Sequence, residues 1–347
     1  MTRRRQVTIR DVAQAAGVSP GTVSRAINDS PLVNEETQQR IMEIVEDLNY
    51  VPNIAARRLS LGKTLAVSVV VPFFTRPSVS ERLNGAVSLL SQSQYDLVIH
   101  NIETPEQRAA CFETIPHRER ADGVLIISLA PTDEEASLLA DADIPIVLID
   151  ADHPDLDMLH QVTVDDFAGG RAATEYLLEL GHTRIGFVGD SIGDVIGNPL
   201  NFTSSRERYE GYCAALASAG IEVRDAYYGE DQHGRQQARR QALRILSLTD
   251  RPTAIFAASD TQAVGVLEAA ADLHLTVPDD LSVIGYDDVE VADIVGLTTM
   301  RQLLFESGRR GVELLLDALA NPAIDPVHEI LPTELVIRQT TAPPPSY

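Results

Sequence analysis

From residue 65 onward, short apolar runs alternate with longer amphipathic stretches. The runs 65–71, 97–100, 123–127, 145–149, 184–188, 253–257 and 281–285 have strand length. The stretches 166–180, 205–219 and 235–246 have helical spacing. Near-continuous apolar strands separated by helices indicate a parallel sheet covered on both faces. Roughly ten such units are more than one sheet comfortably holds, which predicts an α/β core of two doubly wound lobes. The polar stretch 150–161, with Pro154, predicts the break between them. Lobe 1 is then expected over about residues 65–160 plus 293–325, and lobe 2 over about 161–292 plus 326–340. A ligand would enter the cleft between them, at the carboxyl ends of the strands.

The first 60 residues have a different texture. Ile9, Val12, Ala13 and Ala16 form one apolar face at 3–4 spacing, and Gly17 ends that helix. Ser19 is a good N-cap with Pro20 at the first helical position, and the second helix continues through 22–27. A third is expected from the cap Asn34 through Ile41, Ile44, Val45 and Leu48. Pro52 opens a short segment, 53–59, and 60–63 reads as a linker. The expected organisation is an all-α headpiece over 1–51, a hinge and linker over 52–64, and the core over 65–340.

Charge changes the picture. The 347-residue chain has a net charge of -23, which taken whole argues against nucleic acid. Yet residues 1–28 hold Arg3, Arg4, Arg5, Arg10 and Arg25 against one acid, Asp11. A basic end on an acidic body is a recognised sign of nucleic-acid binding. Cys111 and Cys213 fit neither a disulfide framework nor a zinc spacing, and read as buried thiols of a reducing compartment. No apolar run reaches the roughly 18 residues of a membrane span, and the N-terminus lacks a secretory apolar stretch, so a cytoplasmic location is expected.

Ala13, Gly17 and Val23 have the spacing of a helix-turn-helix. That motif needs a small residue where its helices touch, tolerance of positive φ in the turn, and an apolar residue closing the core. An ordinary helical hairpin is the alternative; the local positive charge and the Ser19 cap favour the motif. The whole segment Val7-Thr-Ile-Arg-Asp-Val-Ala-Gln-Ala-Ala-Gly-Val-Ser-Pro-Gly-Thr-Val-Ser-Arg-Ala-Ile-Asn28 closely resembles the DNA-binding headpiece of the LacI-type (LacI/GalR) bacterial transcriptional regulators. Leu48-Asn-Tyr-Val-Pro-Asn-Ile-Ala-Ala-Arg-Arg-Leu59 resembles that family's hinge. The resemblance continues through Gly181-His182, Arg208-Tyr-Glu-Gly-Tyr212, Ser282-Val-Ile-Gly-Tyr-Asp-Asp288 and Leu297-Thr-Thr-Met-Arg-Gln302.

The resemblance implies that the helix from Pro20 lies in a major groove. Pro20 and Gly21 stand where relatives often carry base-reading side chains, so readout shifts to Thr22, Ser24 and Arg25. Arg25 is the candidate for bidentate contact to guanine, worth about 1–3 kcal/mol of discrimination. Thr8, Ser19, Thr22, Ser24 and Asn28 are candidate phosphate contacts. Segment 53–59 is too short to hold as an isolated helix. The resemblance implies that two copies order together in a minor groove, with Asn53, Ala56 and Arg57 contacting DNA and Leu59 wedged between base pairs. That geometry requires a homodimer and a pseudo-palindromic double-stranded operator. The C-terminal tail after Arg338 has no heptads for a tetramer.

The body resembles periplasmic sugar-binding proteins, which implies a small-molecule effector, a sugar or related polar metabolite. Arg208 and Asp287 match effector-binding positions of relatives; an ion pair across the cleft is the alternative reading. Further candidates are Ser78, Val79, Asp165 and Ser259. Arg76-Pro-Ser-Val-Ser-Glu81 stands where relatives often show Asn-Pro-Phe-Phe-Ala-Glu, so a stacking contact is missing unless Phe73, Phe74 or Phe202 replaces it. Two competing classes remain. Gly189-Asp-Ser191-Ile-Gly193 fits a hydrolase elbow, but Gly197 and Pro199 argue against the helix it needs. A free sugar-binding protein would explain the body and leave the headpiece unexplained. No motif calls for a metal or cofactor. The expected function is a ligand-responsive repressor of carbohydrate-utilisation genes, not an enzyme.

Overall fold

The computed structural model describes residues 7–27, 30–51, 58, 61–192, 200 and 202–345. It separates into two units, 1–63 and 64–347. In the first, α1 (Ile9–Ala16), α2 (Pro20–Ile27) and α3 (Glu35–Asp47) enclose a small core of Val12, Ala13, Ala16, Val23, Ala26 and Ile41. Both the backbone N–H and the hydroxyl of Thr8 donate to the Asp11 carboxylate at 2.8 Å, fixing the start of α1. Gly17, at φ 64°, adopts the left-handed turn that ends it. Ser19 Oγ accepts the Thr22 N–H at 3.1 Å and starts α2, and Asn34 Oδ1 accepts the Thr37 N–H at 2.8 Å at α3.

The second unit has two six-stranded sheets. The lobe 1 sheet contains β1 (Ala66–Pro72), β2 (Asp96–Ile102), β3 (Gly123–Ile127), β4 (Ile146–Ile149), β5 (His160–Val164) and β11 (His328–Leu331), in the order β11-β5-β4-β3-β1-β2, all parallel. The lobe 2 sheet contains β6 (Ile185–Asp190), β7 (Tyr228–Asp231), β8 (Ala254–Ala257), β9 (Ser282–Asp287), β10 (Thr298–Gln302) and β12 (Thr333–Val336). Its order is β12-β10-β9-β8-β6-β7, parallel except for β12 against β10.

Helices cover both faces. They are α4 (Pro77–Leu90), α5 (Pro105–Thr114), α6 (Asp133–Ala140), α7 (Asp166–Glu179), α8 (Ser204–Ser218), α9 (Arg235–Leu246), α10 (Asp260–Asp272), α11 (Glu290–Ile294) and α12 (Leu304–Ala320). Alternation along β1 shows the two-sided burial: Val67, Val69 and Val71 enter the cluster under α4 and α12, while Val70 joins Phe112 and Ile115 on the other face.

The lobe boundaries differ from the sequence expectation in three places. Segment 150–161 does not leave lobe 1: it forms a short 3-10 turn at Pro154–Leu156 and leads into β5, which pairs with β4. The chain crosses after β5, at Asp165. Residues 293–325 do not belong wholly to lobe 1, because β10 pairs with β9 and only α12 returns to pack on α4 and β3–β5. Residues 326–340 split too: β11 extends the lobe 1 sheet beside β5, and β12 joins lobe 2. The physical reason is common to all three. Polarity marks a loop, whereas which of the two sheets a strand joins depends on long-range pairing that its own residues do not specify.

Candidate functional site

The headpiece presents one candidate interface. Pro20, Gly21 and Arg25 on α2 are exposed, with Thr8 and Ser19 at the helix starts; Thr22 and Ser24 are half-buried. The Thr8 hydroxyl already donates to Asp11, and Ser19 Oγ lies 3.0 Å from Thr22 Oγ1. Their first task is to cap helices, and a phosphate contact from Thr8 requires that hydroxyl to turn. Pro20 and Gly21 leave the start of α2 without side-chain donors. The candidates Asn28, Asn53, Ala56, Arg57 and Leu59 lie outside the described residues.

The second site is the cleft between the lobes, which encloses about 520 Å3 with the solvent at its mouth. Lobe 1 lines it with Pro72, Arg76, Ser78, Val79, Arg82, Ser128 and Asp150. Lobe 2 contributes Asp190, Phe202, Ser204, Ser205, Arg208, His233, Ala258, Ser259, Gln262, Asp287 and Gln302. A chain of polar contacts runs across the floor. Ser128 Oγ donates to Asp150 Oδ2 at 2.6 Å, and Asp150 Oδ1 lies 2.8 Å from Arg82 Nη2. The same Nη2 donates to Gln302 Oε1 at 3.0 Å, and Gln302 Nε2 donates to Asp287 Oδ1 at 2.6 Å. Arg208 Nη1 is 3.6 Å from that oxygen, Nε donates to Asp166 Oδ1 at 2.8 Å, and the guanidinium lies 3.8 Å above the Tyr286 ring. Gln302, on β10, therefore links a lobe 1 arginine to a lobe 2 aspartate.

Helix packing explains how the two arginines are seated. A Cβ on Gly308 would stand 1.8 Å from the Arg82 carbonyl oxygen, and one on Gly170 would stand 2.3 Å from that of Arg208. In each lobe a crossing helix, α12 or α7, approaches through glycine at the turn that carries the arginine. Each arginine then meets an aspartate at the end of a central strand, where the backbone turns left-handed: Asp150 at φ 55° and Asp287 at φ 111°.

These charges shift one another. Burial raises the Asp287 carboxyl to about 6 against the pull of Arg208, Arg82 and Gln302. Burial also raises Asp166, although Arg208 opposes it. At Asp190 burial pushes upward, but His233, Arg76 and Arg208 outweigh it and hold the carboxyl below its usual range. His233 Nδ1 is 3.1 Å from Asp190 Oδ1, and Gln262 Nε2 donates to the same oxygen at 2.8 Å. No described group donates a hydrogen bond to Asp287 Oδ2, and the buried Arg82 Nε has no partner. Asp287 Oδ2 is left to accept from a hydroxylated guest, whereas Arg82 Nε is shielded from the cleft.

Of the effector candidates, the structure brings together Ser78, Val79, Arg208, Ser259 and Asp287 along the cleft. Ser259 caps α10 and hydrogen bonds Gln262 Oε1 at 2.9 Å. Asp165 does not belong there. It is exposed and caps α7 by accepting the Ala168 N–H at 2.8 Å, whereas its neighbour Asp166 is the buried carboxylate on Arg208. Arg208 and Asp287 both belong to lobe 2, so they form no pair across the cleft. Ser191 and Ile192 are not helical, and the Ser191 N–H bonds to Asp231 O at 2.9 Å, which is not the elbow of a hydrolase. Sequence reasoning missed Arg82, Asp150, Asp190, His233, Gln262 and Gln302. A usable signal existed for two of them: Asp150 and Asp190 each follow an apolar run at a carboxyl end, as Asp287 does.

Comparisons with known proteins agree with both halves. Residues 8–53 match the model of bacterial regulatory proteins of the lacI family, and residues 174–341 match a periplasmic binding protein-like domain. The chain is 33% identical over 337 residues to the HTH-type transcriptional repressor PurR of Vibrio vulnificus, covering 96% of this chain and 98% of the relative. It is 34% identical over 326 residues to the ribose operon repressor of Escherichia coli, covering 91% and 94%. Among solved structures, a lac repressor dimer bound to operator and the anti-inducer ONPF superposes with a TM-score of 0.83 at 26% identity, over 97% of this chain and 100% of that one. A complex of the transcriptional regulator CelR with cellobiose gives 0.70 at 28% identity, over 96% and 100%. The relatives are named repressors, and no described helix is long and apolar enough to cross a membrane. A helix-turn-helix headpiece and a two-lobed core with a ligand-sized cleft, in one chain, are thus the parts of a DNA-binding transcriptional regulator that responds to a ligand, and the chain belongs to the lacI family of bacterial regulatory proteins.

Proposed function

We propose that the chain is a cytoplasmic, homodimeric repressor of carbohydrate-utilisation genes that binds a pseudo-palindromic operator and is controlled by a polar, hydroxyl-rich small molecule. The observation that carries this reading is the cleft floor. One network, Asp150–Arg82–Gln302–Asp287–Arg208, spans both lobes and retains a free acceptor at Asp287 Oδ2. A guest that engages this network favours one spacing of the lobes over another, which is the differential binding that coupling to DNA requires. The ribose operon repressor and the cellobiose-bound regulator among the relatives support a sugar-like guest. Self-association is supported by apolar exposure at the lobe 1 edge, where β2 leaves Val98 40% and Ile99 43% exposed and α4 leaves Val87 45% exposed.

On the DNA side, Arg25 is the base-reading side chain and Ser19, Thr22 and Ser24 position the backbone, with the segment that contains Leu59 in the minor groove. Selection of genomic fragments by the full-length protein tests the reading, with Arg25→Ala as control. Enrichment of a palindrome that the variant loses supports it. Equal recovery by both proteins, without a shared site, refutes it.

A further inference from the structure

We infer that the controlling molecule carries an anionic group, a carboxylate or a phosphate on a hydroxylated body, and that Arg76 receives that group. The inference rests on the cleft being the effector site and adds the charge of the ligand.

Arg76 immediately precedes α4 in the wall of the cleft. Its guanidinium carbon lies 4.3 Å from the Phe73 ring centroid and 4.9 Å from that of Phe202. With ring contacts on the planar group, the N–H groups remain to be satisfied at its edge. Among the described residues the Arg76 side chain makes no hydrogen bond and no ion pair. The other two cleft arginines are committed: Arg82 to Asp150 and Gln302, Arg208 to Asp166 and the Ala258 carbonyl. Asp190, the carboxylate that attracts Arg76 at longer range, is already held by His233 and Gln262. Burial lowers the Arg76 pKa, the response of a cation removed from water without a local counter-charge.

A cation in this position is costly unless something pairs with it. Its surroundings suit an anion. Ser78 and Val79 are in the first turn of α4, where N–H groups have no carbonyl of their own helix. The hydroxyls of Ser78 and Ser204 make no hydrogen bond among the described residues, and both side chains line the same cleft. Phe73 is held at φ 43°, a conformation that a bulky residue adopts only when its surroundings impose it. That turn presents its ring to the guanidinium. A planar fork with its N–H edge unspent matches a carboxylate or phosphate in bidentate geometry, while Asp287 and Asp190 accept from ligand hydroxyls.

The test uses the full-length protein and its Arg76→Gln and Arg76→Lys variants, in equilibrium dialysis against matched sets: ribose, ribonate and ribose 5-phosphate; glucose, gluconate, glucuronate and glucose 6-phosphate; with inorganic phosphate as the bare anion. The expected result is that an acid or phosphate binds at least about tenfold more tightly than its neutral parent, the scale of a charge-assisted hydrogen bond. Arg76→Gln should erase that preference, read as the ratio of anion to parent affinity within the variant, and Arg76→Lys should keep part of it. The carboxylate and phosphate members separate the two sources of charge. A neutral sugar that binds as tightly as its anions, a preference that survives Arg76→Gln, or no binding by any anion in the sets would overturn the inference. A protein that still selects a palindrome in any of those cases keeps its role as a regulator and loses only this assignment.

Discussion

Glu207 offers a direct test of the electrostatics beside the cleft. It precedes Arg208 on α8, is half-buried, and makes no side-chain hydrogen bond among the described residues. Burial raises its carboxyl from 4.5 to about 7, helped by Asp166, Asp152 and Asp150 and opposed by Arg206. On the facing helix α7, Arg171 and Glu175 are paired with each other and leave this balance unchanged. A carboxyl whose folded value lies above its unfolded one keeps its proton longer in the folded chain. Its contribution is therefore fully present below about pH 4.5, falls as pH rises toward 7, and is gone above it. The shift corresponds to about 3 kcal/mol, which partial exposure and solvent screening reduce to about 1–2 kcal/mol. Glu207→Gln holds the neutral shape at every pH. Compared with the parent, it should match closely near pH 5 and be more stable by about 1–2 kcal/mol at pH 8, a rise of about 2–5 °C in the melting of the core. Thermal melts of both proteins at several pH values between 5 and 8 provide the assay. Parallel stability curves, with no gap opening as pH rises, would refute the claim that burial, helped by the neighbouring carboxylates, raises this carboxyl.

Three further predictions follow from the geometry. Asp287→Asn should retain operator binding while losing the response to effector, as read by gel shift with and without ligand; loss of both would make Asp287 a structural residue. Arg25→Ala should reduce discrimination between operator and mismatched sites by about 1–3 kcal/mol, and an unchanged preference would move base readout elsewhere on the headpiece. Gly308→Ala should destabilise lobe 1 by roughly 1–3 kcal/mol, because the new methyl meets the Arg82 backbone rather than a side chain that can turn away. A melting temperature equal to the parent's would show that the α4–α12 contact yields more readily than its spacing implies.

The sequence exposed what depends on local chemistry. Caps at Ser19 and Asn34, the left-handed Gly17 and the apolar face of α1 are nearest-neighbour effects, and the strands of the two lobes announce themselves because both of their faces are buried. What it did not expose depends on long-range pairing. The strand β10 reads Thr-Thr-Met-Arg-Gln, without the apolar run of its neighbours, yet it lies between β9 and β12. At the site, Asp165 and Asp166 are consecutive and chemically identical; which one caps a helix and which is buried against Arg208 follows from how α7 meets α8. Gln302 became visible only when its two partners, Arg82 and Asp287, arrived from different lobes.

The exchange of α7 and α12 between the lobes has a consequence for synthesis. Lobe 1 opens with β1, but α12, which shares one face of its sheet with α4, follows β10, and its last strand follows that helix. A chain emerging from the ribosome therefore completes β1 to β5 with one side of the sheet covered by α4 but not yet by α12. The lobe remains unfinished until almost the entire protein has been made. Lobe 2 likewise waits for β12 after β11 has joined the other sheet. Neither lobe is a contiguous piece that could mature first and wait for its partner; both close at the same end of the polypeptide, and a truncation anywhere before β12 leaves at least one of them incomplete.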